Sequence, residues 1–166
     1  MKNATIRRAT ISDLARCCEI ESLCYSDAEA ASDDKIKKRI EQYPEGFIVL
    51  ESDGKIVGFI NSAASNEVNL ADEDLKDLSG HDSAGKYVVI LSVATHPDCR
   101  GEGVSSRLMH HFVASMKDMN KAVLYLICKS NLVGMYKKYG FVDLGVSEST
   151  YGGLRWHEMS LSLEQT

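Results

Sequence analysis

The sequence predicts a mixed α/β fold, in which a central twisted sheet of about seven strands is flanked by about four helices. The hydrophobic periodicity changes along the chain in the order β-α-α-β-β-β-α-β-α-β-β. Residues 86–95, 103–119 and 122–128 form a strand–helix–strand unit, which requires two parallel strands and a right-handed crossover. A chain of 166 residues is long enough for one well-filled core, so we predict a single domain over residues 1–166.

The elements of the first third follow from local signals. Residues 4–9 alternate in polarity and predict a short strand, and Ser12 is the predicted N-cap of a helix that runs to about Tyr25. Residues 35–43 predict a second short amphipathic helix that stops before Pro44.

Glycines mark the turns of the remaining elements. Asp53 and Gly54 separate two apolar runs and predict a tight hairpin. Residues 103–119 carry an apolar face at helical spacing, and a short helix over 131–139 ends at Gly140. Two strands, over 141–149 and 151–163, close the chain.

The composition excludes several classes of protein. With 19 Lys and Arg against 24 Asp and Glu, the net charge is −5, which argues against nucleic acid as a partner. The sequence lacks the apolar run of a membrane helix and the apolar stretch of a secretory signal. The five cysteines are odd in number and have no C-x-x-C spacing, so no disulfide framework and no metal site is predicted. We therefore expect a cytoplasmic protein with no membrane partner.

Residues 66–85 form a long polar stretch with little periodicity. Such loops in compact domains are often functional lids, and a solvated surface loop is the alternative. Acidic side chains that would attract an amine cation are frequent in it: Glu67, Asp72, Glu73, Asp74, Asp77 and Asp82.

The most informative segment is the turn between strand 86–95 and helix 103–119. Gly101 and Gly103 remove side chains where the backbone can approach a ligand, and Arg100 adds a positive charge. The N–H groups of the first helical turn point outward, and the helix dipole favours an anion there, so the turn predicts a pyrophosphate site. The segment matches neither a Walker A loop nor a dinucleotide fingerprint.

This turn resembles the acyl-CoA signature Gln/Arg-x-x-Gly-x-Gly/Ala of the GNAT superfamily of N-acetyltransferases. Arg100, Gly103 and Ser105 stand at its defined positions, and Ser105 departs from the usual Gly or Ala. A second family element matches at residues 131–141, where Asn131 is followed by Tyr136 and by Gly-Phe. The order of elements matches over nearly the whole chain, so a GNAT-like fold is expected.

The resemblance implies acetyl-CoA as the cosubstrate and assigns residues to it. The pyrophosphate would be bound at Arg100, Gly101, Glu102, Gly103, Val104 and Ser105. The pantetheine arm would pair with the backbone of strand 86–95 at Leu91, Ser92, Val93 and Thr95. Asn131 would also contact this arm. Tyr136 would act as the general acid for the leaving thiolate, the alternative being a core aromatic residue.

Within the superfamily, the chain most resembles the arylalkylamine N-acetyltransferase branch. The shared features are the acidic 66–85 insertion and the ending Gly-Gly-Leu-x-Trp-x-Glu-Met. In the vertebrate enzymes two histidines relay the substrate proton, but Val89 and Leu91 occupy the matching positions here.

The general base must therefore come from another residue. The candidates are Glu29, Glu21, His81 and His96. Glu29 leads, because it lies in the segment that faces substrate in the family, and a solvated surface carboxylate is the alternative.

Three functions remain open at this level. The first is direct acetyl transfer from acetyl-CoA to a primary amine of a small molecule within a ternary complex. The second is acetylation of a protein or peptide amine. The third is an acyl-CoA-binding sensor without catalysis, which the missing histidine relay motivates. The resemblance also allows a homodimer, since exposed terminal strands in this family often pair.

Overall fold

The computed structural model describes residues 3–164 and contains a seven-stranded sheet with four α-helices, which confirms the predicted fold class. The strands are β1 (Ala4–Arg8), β2 (Ile48–Ser52), β3 (Lys55–Ser65), β4 (Tyr87–Thr95), β5 (Val123–Cys128), β6 (Val142–Val146) and β7 (His157–Ser162). The helices are α1 (Leu14–Cys24), α2 (Asp33–Gln42), α3 (Val104–Asp118) and α4 (Val133–Lys138).

The strands follow the order β1-β2-β3-β4-β5-β7-β6 across the sheet. By its internal contacts the chain divides into two compact units. The first comprises the residues up to Ser62 together with Leu91–Phe112, and the second comprises Ala63–Ile90 together with the residues from Val113 onward. The single domain over residues 1–166 stays a prediction. Within residues 3–164, no helix combines the length and the apolar character that a membrane crossing requires.

Two predicted connections are confirmed. Strands β2 and β3 are antiparallel, and Asp53 and Gly54 between them have φ angles of 51° and 77°, as the predicted hairpin turn requires. Strands β4 and β5 are parallel, with Tyr87–Val89 in register with Val123–Tyr125. The predicted strand–helix–strand unit is therefore present.

The start of the first helix differs from the prediction, because Ser12 is not its N-cap. Residues Ile11–Asp13 form a 3-10 turn that begins after Thr10, and α1 follows at Leu14. The Asp13 carboxylate accepts a hydrogen bond of 2.7 Å from the Thr10 N–H and hydrogen bonds of 2.8 and 3.0 Å from the Arg7 guanidinium. Because the Asp13 carboxylate already accepts the Thr10 N–H at the start of the turn, the side chain of Ser12 is not needed as a cap.

We expect Asp13→Asn to lower the free energy of unfolding by about 1–2 kcal/mol at pH 7. The hydrogen bond from Arg7 and the Thr10 N–H hold the pKa of Asp13 below its usual value. A carboxyl group with a lowered folded-state pKa stabilises the protein above its unfolded pKa, and this stability is lost as the pH falls. Urea titrations from pH 7 to pH 3 should show the wild type and Asp13→Asn converging; a constant difference would contradict this account.

The core of the first unit lies between α1, α2 and strands β2 and β3. Cys17, Ile20, Ile36, Val49 and Phe59 are fully buried in it. Cys17 is thus a core residue, and its burial raises the pKa of the thiol to about 12. The thiol is therefore protonated and unreactive at neutral pH.

Gly58 of β3 lets helix α3 pack closely, which the sequence analysis did not predict. A Cβ atom placed on Gly58 would lie 2.7 Å from Cγ1 of Val104 and 2.8 Å from the backbone oxygen of Ala94. The carbonyl belongs to β4 and cannot move away without disturbing the strand. Gly58 is therefore required by the close approach of three elements.

We expect Gly58→Ala to lower the free energy of unfolding by about 1–3 kcal/mol because of this overpacking. Gly134→Ala is the matched control, since a Cβ there meets no atom within 4 Å and alanine favours a helix. Urea denaturation of the two variants tests the difference. Equal stability of both would show that the β3–α3 contact tolerates a methyl group.

The last predicted strand begins later than expected. Residues Tyr151–Gly153 form a 3-10 turn with φ angles of 63° at Gly152 and 72° at Gly153, and β7 starts at His157. The indole N–H of Trp156 donates to the carbonyl of Tyr151 at 2.8 Å and closes this turn. The two glycines break the extended conformation that residues 151–163 were predicted to share.

Candidate active site

The turn after β4 has the conformation that its glycines suggest. Pro97–Cys99 form a 3-10 turn, Arg100 is extended, and Gly101 and Gly103 have φ angles of 83° and 79°. A Cβ at either glycine would meet no atom within 4 Å, so the positive φ, and not crowding, requires glycine here. Gly101, Glu102 and Gly103 are all exposed.

Helix α3 starts directly after this turn. Val104 is 2% exposed and anchors the helix in the core, while Ser105 is half-buried. The Arg107 N–H donates to the carbonyl of Gly103 at 3.1 Å and begins the helical ladder. The N–H groups of the first turn precede this ladder and, with the helix dipole, favour an anion. The turn, exposed at residues 100–103, is compatible with the predicted pyrophosphate site, which stays a prediction.

Arg100 is exposed at the start of this turn, and its positive charge lowers the pKa of the Cys24 thiol, against the larger effect of burial. Cys24 is the last residue of α1, and its Sγ also donates to the carbonyl of Thr95 at 3.1 Å. Burial raises the pKa of this thiol, so Cys24 acts as a neutral donor. The end of α1 is thus attached to β4.

The second half of β4 carries the predicted backbone ligands. Leu91, Val93 and Thr95 are half-buried and alternate with buried Ser92 and Ala94. Both backbone groups of Val93 are engaged: the Tyr25 hydroxyl donates to its carbonyl at 2.9 Å and accepts from its N–H at 3.2 Å. No local signal in the sequence predicts this contact.

A buried arginine lies beneath the same strand. Arg39 of α2 is 2% exposed, and its Nη1 donates to Oδ1 of Asn61 at 3.3 Å and to Oγ of Ser92 at 3.5 Å. Ser92 therefore directs its hydroxyl toward α2, and its role as a cosubstrate ligand stays a prediction. Arg39 occupies a polar position of a short amphipathic helix, and nothing in the sequence indicates that this position is buried.

Glu29 is not a solvated surface carboxylate, because the residue is only 6% exposed. It lies in the connection between α1 and α2, where the hydroxyl of Ser26 donates to its Oε1 at 2.9 Å. Its burial in the first unit is compatible with the predicted role as a general base.

The other candidate bases have structural partners. The carboxylate of Glu21 is 2% exposed and accepts from the Ala31 N–H at 2.9 Å, which ties α1 to the following connection. The ring of His81 accepts from the Ala64 N–H at 3.0 Å. The ring of His96 accepts from the Asp98 N–H at 3.1 Å and caps the 3-10 turn there.

The second unit contains Asn131 and Tyr136. Asn131 is exposed in a 3-10 turn, and Tyr136 is 6% exposed in the short helix α4. The Tyr136 ring packs edge-on against Tyr139 and Phe141, at centroid distances of 6.1 and 5.7 Å. Burial raises the pKa of its phenol, so the hydroxyl stays protonated at neutral pH. This environment is compatible with both interpretations of Tyr136, the general acid and the core aromatic residue.

The 66–85 insertion lines an open cavity of about 640 Å³ within the second unit. Four of its six acidic residues line this cavity: Glu67, Asp72, Asp74 and Asp82. Asp72 and Asp82 also accept backbone hydrogen bonds of 2.9 Å within the loop, so these two carboxylates stabilise the loop conformation. Among residues 3–164, no group of three or more His, Cys, Asp or Glu side chains is arranged to hold a metal ion.

Lys121 holds the end of this insertion, and sequence reasoning missed it. It is 7% exposed, and its Nζ donates to the carbonyls of Ser83 and Gly85 at 2.7 and 2.6 Å. Gly85 itself has no room for a side chain, because a Cβ would lie 2.5 Å from the backbone of Ser65.

Comparison with solved structures defines the class of fold. The loading GNATL domain of CurA from Lyngbya majuscula superposes with a TM-score of 0.87 at 17% identity, covering 98% of each chain. The structure of yncA from Salmonella typhimurium, solved with its cofactor acetyl-CoA, gives 0.70 at 18% identity, covering 99% of this chain and 96% of the other. At these identities the likeness establishes a shared fold.

The sequence comparisons establish the family. The model of the acetyltransferase (GNAT) family matches residues 14–141, and the chain belongs to this family. Serotonin N-acetyltransferase of Mesocricetus auratus is 29% identical over 134 residues, which are 78% of this chain and 62% of the relative. The chain therefore spans less than two thirds of the length of this curated relative.

Proposed function

We propose that the protein transfers the acetyl group of acetyl-CoA to a primary amine of a small molecule. The observation that carries this proposal is the glycine turn at residues 100–105, which follows β4 after a short 3-10 turn and opens α3. Membership of the acetyltransferase family and the similarity to serotonin N-acetyltransferase support it.

Binding of the cosubstrate is assigned to the first unit. The N–H groups at residues 101–105 would bind the pyrophosphate, and Arg100 would add a positive charge. The backbone at Leu91, Val93 and Thr95 would pair with the amide groups of the pantetheine arm. Bound acetyl-CoA supplies a thioester, whose carbonyl carbon is the electrophile of the reaction. A backbone N–H of β4 would stabilise the oxyanion that forms there.

The acceptor amine must lose a proton before it attacks. An amine with a pKa near 10 is mostly protonated at pH 7, and its deprotonation costs roughly 4 kcal/mol. We assign this step to Glu29, whose buried position would keep it dry and close to its Ser26 partner. The proton would pass from the amine to the carboxylate, directly or through water.

The leaving thiolate must gain a proton or a strong hydrogen bond. We assign this role to Tyr136, whose phenol is protonated at neutral pH because burial raises its pKa. Its hydroxyl would donate to the sulfur as the C–S bond breaks. Attack is direct, so no cysteine of the chain carries the acetyl group. Burial raises the pKa of Cys128 to about 11, which makes that thiol a poor nucleophile.

The experiment is a thiol-release assay with acetyl-CoA and a panel of acceptors. The panel contains arylalkylamines, polyamines, aminoglycosides, amino acids and short peptides, and mass spectrometry of the acceptor confirms the product. We expect release with a small primary amine. Release with peptides alone would replace the small-molecule acceptor by a protein acceptor. Silence across the panel, with acetyl-CoA still bound in calorimetry, would favour the acyl-CoA sensor.

A further inference from the structure

The two edges of β4 can be told apart from its hydrogen bonds. Directly after the strand, the His96 N–H donates to the carbonyl of Val57 on β3 at 2.8 Å. Backbone groups of successive residues in a strand point to opposite edges, so Val93 and Thr95 point away from β3. The register of β4 with β5 covers Tyr87–Val89, and both residues lie beyond it.

This edge carries two side chains from the end of α1. The Tyr25 hydroxyl binds both the carbonyl and the N–H of Val93, and the Cys24 thiol donates to the carbonyl of Thr95. Val93 and Thr95, which share one edge of β4, are thus bound by Tyr25 and Cys24, which are consecutive at the end of α1. An added strand, or a chain of amide groups laid along β4, would use these same backbone groups.

We infer that Tyr25, assisted by Cys24, is an internal competitor for the pantetheine arm, and that acetyl-CoA binds only after the Tyr25 hydroxyl leaves Val93. The inference rests on the proposed function, in which the arm pairs with the backbone of β4. A phenol hydroxyl can replace one amide group because it donates and accepts at the same time. Tyr25 and an amide group cannot occupy Val93 together.

Displacement of Tyr25 has a consequence for the segment that follows it. Tyr25 starts the connection between α1 and α2, which includes Ser26 and Glu29. When the hydroxyl leaves Val93, this connection loses an attachment to β4. In the absence of acetyl-CoA the open state is a minor population, which weakens the observed affinity by that fraction.

The test is the affinity of desulfo-CoA, which has the pantetheine arm but cannot react, for the wild type and for Tyr25→Phe. Phenylalanine keeps the ring and removes the competing hydroxyl, so we expect the Kd to fall about threefold to tenfold. Tyr125→Phe is the matched control, since it removes a phenol from a half-buried tyrosine on β5 that pairs with Tyr87, and its Kd should stay within twofold. Isothermal calorimetry gives the Kd, and thermal unfolding confirms that both variants are folded.

Hydrogen exchange of the wild type provides a second measurement that needs no variant. Desulfo-CoA should speed exchange of amides in residues 24–31 while it protects residues 100–105. An unchanged or weaker affinity of Tyr25→Phe, or slower exchange in 24–31, would overturn this inference and leave the proposed function standing. A wild type that binds no desulfo-CoA would instead overturn the proposed function, and this inference with it.

Discussion

Tyr136→Phe should lower kcat by about 100-fold or more and leave the Kd of acetyl-CoA within twofold. Phenylalanine preserves the edge-on packing against Tyr139 and Phe141 and removes only the hydroxyl. A hydroxyl that acts on the leaving thiolate affects the transition state much more than the ground state, so the loss should fall on kcat. Steady-state kinetics with the acceptor found in the panel, together with calorimetry, measures both quantities.

Tyr139→Phe is the matched control, because it removes a phenol from the same helix end. Its kcat should stay within about threefold of the wild type. Comparable kcat values for the Tyr136→Phe variant and the wild type would remove Tyr136 from the mechanism and favour its interpretation as a core aromatic residue.

The pH profile of kcat adds a further criterion. Because burial raises the pKa of Tyr136 above the ordinary tyrosine value of about 10, kcat should show no fall between pH 7 and pH 10 from loss of this proton.

Gly103→Ala should weaken acetyl-CoA binding by about tenfold. An L-residue pays about 1–2 kcal/mol in the left-handed conformation, and Gly103 has a φ angle of 79°. The added methyl group meets no atom within 4 Å, so the loss does not come from a clash. It comes from a turn that relaxes toward negative φ and redirects the N–H groups before α3.

Gly54→Ala separates this local effect from general strain. Gly54 has a φ angle of 77° and open space around its missing Cβ, but it lies in the β2–β3 hairpin. Both variants should lose similar stability in urea denaturation, and only Gly103→Ala should lose affinity in calorimetry. Equal affinity of the two variants would contradict the assignment of residues 100–105 to the pyrophosphate.

Much of the fold could be predicted because its signals are local. The Asp53-Gly54 turn, the parallel strands around α3 and the glycine turn before that helix follow from residue types at fixed spacing. Boundaries were less accurate where a distant partner competes with a local signal. The Arg7–Asp13 ion pair displaced Ser12 as the cap of the first helix, and two glycines delayed the start of β7.

The residues of the candidate site likewise could be predicted where the signal is local and could not where it depends on a distant partner. Residues 100–105 and Tyr136 could be proposed as site residues from motifs, because a motif is a contiguous arrangement of residue types. The burial of Glu29, the attachment of the 66–85 insertion by Lys121 and the contact of Tyr25 with Val93 gave no such signal. Tyr25 and Val93 are 68 residues apart, and nothing in either neighbourhood specifies the other.

The sequence by itself thus determined the family, the order of the elements and the glycine turn before α3. Each depends on backbone conformations that a few neighbouring residues impose, above all glycine at positive φ and apolar residues at a regular period. Only the tertiary structure decided which polar groups are buried and which backbone edge is already occupied. Those outcomes depend on the packing of α1 and α2 against β4, where desolvation and hydrogen-bond geometry act between residues that are distant along the chain.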